Sequence, residues 1–530
     1  MSLEFVPLPP LIALDRHLGA LLGDAGWRAA LAASVRPFVE AQRWFTGKAR
    51  RVSAVDLADW GQLPGSAPGF IVLLDVAYVD GGTERFFVPL GAARGAAAER
   101  LLREAPAAVV ARSTLEGDGV LRVLHGLIED GAVPALLRAL TTGTSVPLAR
   151  GTIAAAPTRA LADLLGDIAP DALSARRVSG EQSNSSFVFG DRLIMKVVRR
   201  LQPGVNPDFE VGRHLTEHST YTGVPRLAGG LEYVGADGRP TTLAVAHALV
   251  AGGHDAWEMS VARAHAWLSD VARQGASSGA PADYTAWATL LGRRTAELHL
   301  ALASAHGNPA FVPEPIGHEG LVRLAVEMRD HGAAALDVLA RAADAVPAAL
   351  AADVERVLTH RDALLDRLGA IVGLSPALAR IRVHGDFHLG QVLATPGEVA
   401  IIDFEGEPLR PIEERRAKQL AVKDVAGMLR SFSYAAYAAA FALVGDEVTA
   451  LARLEPAALA FDAAAGGAFL AAYRATAADA PFLPAGEAAF DALLAAHLTD
   501  KALYELVYEL NNRPAWLRIP LRGVLGMIDV

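Results

Sequence analysis

The sequence predicts an α+β protein in three parts: a small α+β subdomain over residues 1–104, a β-rich region over 105–250 and a mostly helical lobe over 251–530. Three observations carry that division. A helical stretch around residues 12–41 leads into two β-rich runs, Phe70–Val76 and Arg85–Leu90, joined by the hairpin signal Asp80-Gly81-Gly82. Further strands are expected at Ala107–Ala111, Val120–Leu124, Ser186–Phe189, Leu193–Val198 and Thr241–Ala246, between Gly- and Asp-rich turns. From about residue 255 long Ala- and Leu-rich helical periods take over, interrupted by the strand-bearing run Ile381–Ile402.

Composition narrows the class. Of 530 residues 52% are hydrophobic and 20% charged, the range of globular proteins that bury a core. Lys and Arg number 49 against 59 Asp and Glu, a net charge of −10, so no global field attracts nucleic acid or an anionic membrane, and any phosphate site is local. The absence of cysteine excludes disulfides, thiolate metal sites and a cysteine nucleophile, and suits a reducing cytosol. The first residues lack a signal-peptide pattern, and the apolar run Tyr434–Val444 falls short of the ~18 residues that suggest a membrane span. A cytoplasmic protein is expected. Gly275-Ala-Ser-Ser-Gly279 matches the G-x-S-x-G pattern, but helical sequence precedes it where a nucleophile elbow needs a strand, so it reads as a linker.

The chemistry concentrates in Val383-His-Gly-Asp-Phe-His-Leu-Gly-Gln-Val-Leu393 and Ala400-Ile-Ile-Asp-Phe-Glu405. Thr395-Pro-Gly-Glu398 has Pro and Gly where a type II turn wants them, so the flanking segments should pair as a hairpin. A hairpin returns Asp403 to the neighbourhood of Asp386 and Gln391. Oxygen donors without thiols suit Mg²⁺, held by Gln391 and Asp403, and a remaining carboxylate, Asp386, suits a base that orients a hydroxyl for attack on a phosphoryl group. His384 and His388 leave a second reading open, a metallohydrolase cluster with the aspartates.

These segments resemble the catalytic and metal-binding loops of the aminoglycoside phosphotransferase-like kinases, with Asp386 at the position of the catalytic base. Within that family, His384 to Gln391, Asp403-Phe-Glu-Gly-Glu-Pro408 and Lys423-Asp-Val-Ala-Gly-Met-Leu-Arg-Ser-Phe432 look like the maltokinases. Gln391 departs from the Asn common in the broad family and is what maltokinases carry; His388 is a maltokinase feature too. Gln42-Arg-Trp-Phe-Thr-Gly-Lys48 resembles the maltokinase N-terminal cap. The resemblance implies a protein-kinase-like bilobal fold: a cap, a β-rich lobe that binds ATP, and a helical lobe with the base and the sugar site.

For the nucleotide, Gly180-Glu-Gln-Ser-Asn-Ser185 is a polar loop that offers backbone N–H groups and the side chains of Gln182, Ser183 and Ser185 to phosphates. Lys196 follows on the next strand. Asn206-Pro207-Asp208 reads as a helix start that places Glu210 to pair Lys196, as a helix glutamate does in kinases. No G-x-G-x-x-G or G-x-x-x-x-G-K-[ST] pattern occurs in the phosphate-binding region, so Rossmann and P-loop readings lack support.

For the acceptor, Leu503, Leu506, Val507 and Leu510 form an apolar stripe, which puts Lys501, Tyr504, Glu505, Tyr508 and Asn512 on the opposite face. Two tyrosines one turn apart among polar groups suit a sugar. His388, Glu405 and Arg430 are further acceptor candidates. The reaction that the resemblance implies is ATP-dependent phosphorylation of maltose to maltose 1-phosphate, feeding α-glucan synthesis, by a monomer with a functional link to trehalose synthase. A kinase of another sugar such as glucosamine, and a noncatalytic pseudokinase, are the alternatives.

Overall fold

The computed structural model describes residues 25–528 apart from 64–68, 115–119, 127, 130, 179–183, 276–279, 306, 376, 409 and 446. The described chain forms two compact units. Of the described residues, the first takes in those up to His218 with Pro225–Ala251 and Pro411–Glu413, the second Ser219–Val224, Gly252–Arg410 and those from Glu414 onward.

In the first unit, α1 (Ala25–Ala41) buries Leu31, Val35 and Val39 at helical spacing against an antiparallel sheet. The sheet has the order β1 (Val52–Leu63), β2 (Gly69–Tyr78), β3 (Thr83–Arg94), β5 (Leu121–His125), β4 (Val109–Thr114). The run Phe70-Ile-Val-Leu-Leu74 is apolar throughout because both faces of β2 are covered. Phe70, Val72 and Leu74 join Phe86 and Val88 under α1, while Ile71, Leu73 and Phe87 join a second core. The expected turn is present, with Gly81 and Gly82 both at positive φ (95° and 78°) and Tyr78 N–H donating to Gly82 O.

The sheet runs past residue 104 to His125, so a boundary at 104 divides it. Its inner face shares the second core with the helix Ala132–Thr142 and with a seven-stranded sheet. That sheet has the order β6 (Val146–Pro147), β7 (Thr152–Pro157), β12 (Leu227–Val234), β13 (Pro240–Ala248), β10 (Leu193–Val198), β9 (Asn184–Phe189), β8 (Ala175–Arg177); β11 (Arg200–Leu201) pairs β3. On its outer face lies α2 (Pro207–His218), where Phe209 packs with Leu227 and Val245. Gly230 is required here, since a Cβ would lie 2.6 Å from the Phe209 ring.

The second unit is built on α3 (Ala256–Gln274), α4 (Ala282–Leu302), α5 (Gly317–Ala342), α6 (Val422–Val444), α7 (Val448–Thr476), α8 (Glu487–Asn512) and α9 (Arg518–Ile528). α6 packs on α3, α7 and α8, and its small residues Ala435, Ala436, Ala439 and Ala440 are all buried at those contacts. α7 is long and apolar enough to cross a membrane by composition, yet it lines α4 and buries Phe461, Phe469 and Tyr473 there. Small strands complete the unit: β14 (His254–Asp255), β15 (Glu314–Pro315) with β16 (Ala379–Arg380), and the hairpin β17 (Val392–Thr395) and β18 (Glu398–Ile401), whose outer partner is β14.

Candidate active site

The β17–β18 hairpin forms in the expected register, with Val392 opposite Ile401 and Thr395 opposite Glu398, and Gly397 at φ 76° in the turn. The ladder continues one step further, because Ile402 N–H donates to Gln391 O at 2.9 Å. Gln391 and Asp403 therefore lie at the joined end of one ribbon. Asp403 adopts φ 67°, a left-handed conformation otherwise confined to glycine among the described residues, so its side chain leaves the ribbon at an angle an ordinary strand does not allow. An amide and a carboxylate oxygen so placed fit Mg²⁺, a hard cation that draws most of its remaining ligands from water and phosphate.

His384 fastens the loop that carries Asp386 to this ribbon. Its Nε2–H donates to Ile402 O (2.9 Å), which leaves Nδ1 to accept Asp386 N–H (3.4 Å) as a neutral imidazole. The ring is buried between Phe387 and Phe404, 5.2 and 4.9 Å away by centroids. Both nitrogens are thus occupied by backbone, which removes the metallohydrolase reading. His388 caps the short turn Leu389–Gln391, its Nδ1 accepting Gly390 N–H at 3.1 Å, which leaves the ring proton on Nε2. Burial pushes its pKa down, as do His384 and Lys501, against the pull of Asp386 and Asp403.

The loop is held from behind by α6. The buried carboxylate of Asp424 accepts the N–H groups of His384 (2.7 Å) and Gly385 (2.9 Å) and meets His299 Nε2 at 3.1 Å, while His299 Nδ1 meets Tyr473 OH at 2.8 Å. Burial alone would raise the Asp424 pKa; the His299 hydrogen bond and charge, His384 and the Gly385 N–H hold it below the usual value. Ser431 Oγ accepts Leu389 N–H at 3.0 Å, and Gly427 lets α6 pass the loop where a Cβ would lie 2.6 Å from Phe387 O. Asp424 escaped the sequence reading, although a carboxylate in the first turn of an otherwise apolar buried helix was the available signal.

The remaining acceptor candidates lie on α8. Tyr504 and Tyr508 are exposed at 55% and 45%, and Lys501 Nζ lies 5.1 Å from the Tyr504 ring centre. Burial raises the Tyr504 pKa; the charges that act on it include Lys501, Glu407 and Asp386, and the field of Lys501 also reaches His388. Lys501, Tyr504 and His388 therefore lie within reach of one another's charge and of Asp386, with Tyr508 one turn beyond Tyr504. Glu407 belongs to this group as well: burial would raise its pKa, but a hydrogen bond from Arg410 (2.8 Å) and the charge of Lys423, 3.7 Å away, hold it low.

Three expected members do not join. Glu505 turns inward and receives Arg430 Nε at 2.8 Å; Arg430 is itself buried and also donates to Ile519 O at 3.4 Å. Arg430 thus ties α6 to α8 and α9 from a buried position. The apolar stripe was set one position off: the buried face includes Ala502, Leu503, Glu505, Leu506 and Glu509, because paired charges can occupy it. Glu405 is buried, and its carbonyl accepts Arg415 Nη1 at 3.0 Å.

In the first unit Lys196 stands in β10 between Ser186 and Val245, and α2, which carries Glu210 in its first turn, lies on the neighbouring strands β12 and β13. Asn206 caps that helix as expected, Oδ1 accepting Asp208 N–H at 2.8 Å. Ser185 points the other way from Lys196, into the core between the sheets, where its hydroxyl accepts Arg199 Nε at 3.0 Å. The expectation that Ser185 serves phosphate together with Lys196 is corrected accordingly; Ser186, directly opposite Lys196, is the hydroxyl on its face. Gln182 and Ser183 lie outside the described residues.

Comparison with known proteins agrees with this architecture. Residues 174–406 match the phosphotransferase enzyme family (APH), and residues 38–126 match the maltokinase N-terminal cap domain. A glucosamine kinase of Streptacidiphilus jiangxiensis is 28% identical over 349 residues, 65% of this chain and 71% of that one. A glucosamine kinase of Mycolicibacterium smegmatis (strain ATCC 700084 / mc(2)155) is 28% identical over 369 residues, 69% of this chain and 82% of that one. A solved glucosamine kinase in complex with glucosamine, ADP and inorganic phosphate superposes with a TM-score of 0.61 at 24% identity, covering 97% of this chain and 99% of that one. The chain is thus similar to the phosphotransferase enzyme family (APH) over residues 174–406 and to the maltokinase N-terminal cap domain over the preceding residues 38–126.

Proposed function

We propose that the chain is a maltokinase: a cytoplasmic, monomeric enzyme that transfers the γ-phosphoryl group of ATP to the anomeric hydroxyl of maltose, giving maltose 1-phosphate for α-glucan synthesis. The observation that carries the reading is the mutual proximity of Asp386, His388, Lys501 and Tyr504, with Tyr508 one turn beyond, together with the maltokinase-type cap. Asp386 accepts the proton of the attacking hydroxyl as its oxygen bonds to phosphorus and the bond to ADP breaks. Lys196 contacts the phosphates and Glu210 orients it. Gln391 and Asp403 would hold Mg²⁺, which when bound neutralises charge on the phosphates.

The second reading, phosphorylation of glucosamine, is favoured by the names of the two relatives. An ATP-consumption assay with Mg²⁺ over maltose, glucose and glucosamine separates them. Maltose is expected to give the highest kcat/KM; a higher value for glucosamine selects the second reading, and no sugar-dependent turnover removes both.

A further inference from the structure

His247 touches the first turn of α2. It stands in β13, two residues past Val245, which lies opposite Lys196 of β10. Alternate residues of a strand share a face, so His247 and Lys196 lie on the same side of the sheet. That is the side on which α2 packs, because Val245 meets Phe209 there. His247 Nε2 lies 3.3 Å from Asp208 Oδ2, and Asp208 is buried in the turn that also carries Glu210.

The other ring nitrogen decides which way that bond runs. Nδ1 is buried and, among the described residues, has no hydrogen-bond partner. A proton there would be a buried donor with nothing to receive it, whereas on Nε2 it is received by a carboxylate. His247 therefore carries its proton on Nε2 and donates to Asp208. The fit is close: at Gly212, one turn on from Asp208, an added Cβ would lie 3.2 Å from His247 Cε1.

The start of α2 is tied to β13 a second time, by Asn206 N–H donating to Thr242 Oγ1 at 3.2 Å. A helix held only at its cap can still turn about its own axis, and turning it moves every side chain of the first turn. The Asp208 contact, two residues further on, opposes that rotation. Resting on the reading above in which Lys196 contacts the phosphates of ATP, we infer that His247 is a positioning residue for the nucleotide. Through Asp208 it sets the rotation of α2, and so the placement of the first-turn carboxylates relative to Lys196.

The test uses the full-length enzyme. His247→Leu keeps the bulk and loses the donor; it is expected to raise the ATP KM about three- to tenfold and to leave the sugar KM within about twofold. His247→Gln, whose amide N–H can stand where Nε2–H stood, should recover most of the wild-type value. The same His247→Leu change made on Lys196→Ala should cost nothing further in ATP KM, since the group it positions for is gone. Should His247→Leu unfold early in a thermal scan, Gly212→Ala is the second variant: alanine strengthens the helix, yet its Cβ crowds the imidazole, so the ATP KM should again rise. An ATP KM unchanged in both variants, an equal rise in the two KM values, or a full further penalty on Lys196→Ala makes His247 a packing residue and overturns the proposal. If Lys196→Ala itself leaves the ATP KM unchanged, it is the nucleotide reading that fails.

Discussion

The Asp424 carboxylate accepts the backbone N–H of His384 at 2.7 Å, so a residue forty positions downstream, on a buried helix, fixes the pitch of the loop that presents Asp386. With Gly385 N–H and His299 on the same carboxylate, the loop is referenced to the buried interior of the helical unit. His384 then carries that reference across to the hairpin end at Ile402, next to Asp403.

Asp424→Asn keeps the shape but puts an amide NH₂ against an N–H donor. One buried donor is left unpaired, at a cost of about 1–3 kcal/mol. The expected outcome is a kcat at least about tenfold lower, with ATP and sugar KM values little changed, because the loop that positions the base is displaced and the binding groups are not. A steady-state comparison at equal folded fraction, checked by thermal unfolding, decides it; a wild-type kcat would show that the loop holds its geometry without this carboxylate.

Gly427→Ala probes the same contact from the helix side. Alanine is the better helix former by about 1 kcal/mol, so helix propensity alone would stabilise the variant. Its Cβ would lie 2.6 Å from Phe387 O, so either α6 or the catalytic loop must shift. A lower kcat is expected. The control is Gly467→Ala on α7, where nothing lies within 4 Å of the added Cβ, and there kcat should be unchanged. Equal kcat in the two variants would mean that the loop tolerates the displacement.

The strand and turn devices were legible because they are local. Pro and Gly in the β17–β18 turn, the Asn206 cap and the two-glycine turn after Tyr78 each announce themselves in a few residues. Buried charge was not legible. Glu505 reads as part of an exposed polar face, and Arg430 as an acceptor candidate, until the buried ion pair between them is seen. The same holds for Ser185, whose face of the sheet is decided by its partner strand and by Arg199, fourteen residues away. Domain limits suffered likewise: β4 and β5 join the first sheet by long-range pairing that no local pattern encodes.

Two buried carboxylates give opposite pH signatures. Asp424 is held below its usual 3.8, so the stability it contributes is present above that value and is lost as pH falls through its lower folded-state pKa. Asp462, which accepts a hydrogen bond from Ser433, is pushed up to about 6 by burial. Its contribution is present below 3.8 and is lost as pH rises through about 6. Asp462→Asn should therefore gain thermal stability relative to the wild type at pH 8 and show little difference at pH 4. Unfolding curves across that range check it, and a difference that does not change with pH would place the Asp462 pKa near its ordinary value.

The tyrosine pair on α8 yields the prediction that separates one sugar ring from two. Tyr504 lies within the field of Asp386 and Tyr508 is one turn further along, with Arg513 over its ring at 5.4 Å. One turn of helix is about 5.4 Å, a separation at which two platforms can cover adjoining sugar rings. If Tyr504 covers the ring that reacts, Tyr504→Ala should lower kcat/KM for glucose and for maltose alike. Tyr508 would meet only the outer ring, so Tyr508→Ala should lower kcat/KM for maltose by about three- to tenfold and leave glucose unchanged, while Tyr508→Phe, which keeps the flat ring, should behave as the wild type. Steady-state kinetics with both sugars at saturating ATP measure all three. A maltose-to-glucose ratio that survives Tyr508→Ala would make this tyrosine part of a solvated helix face and move the outer-ring contact to the Glu407 side of Tyr504.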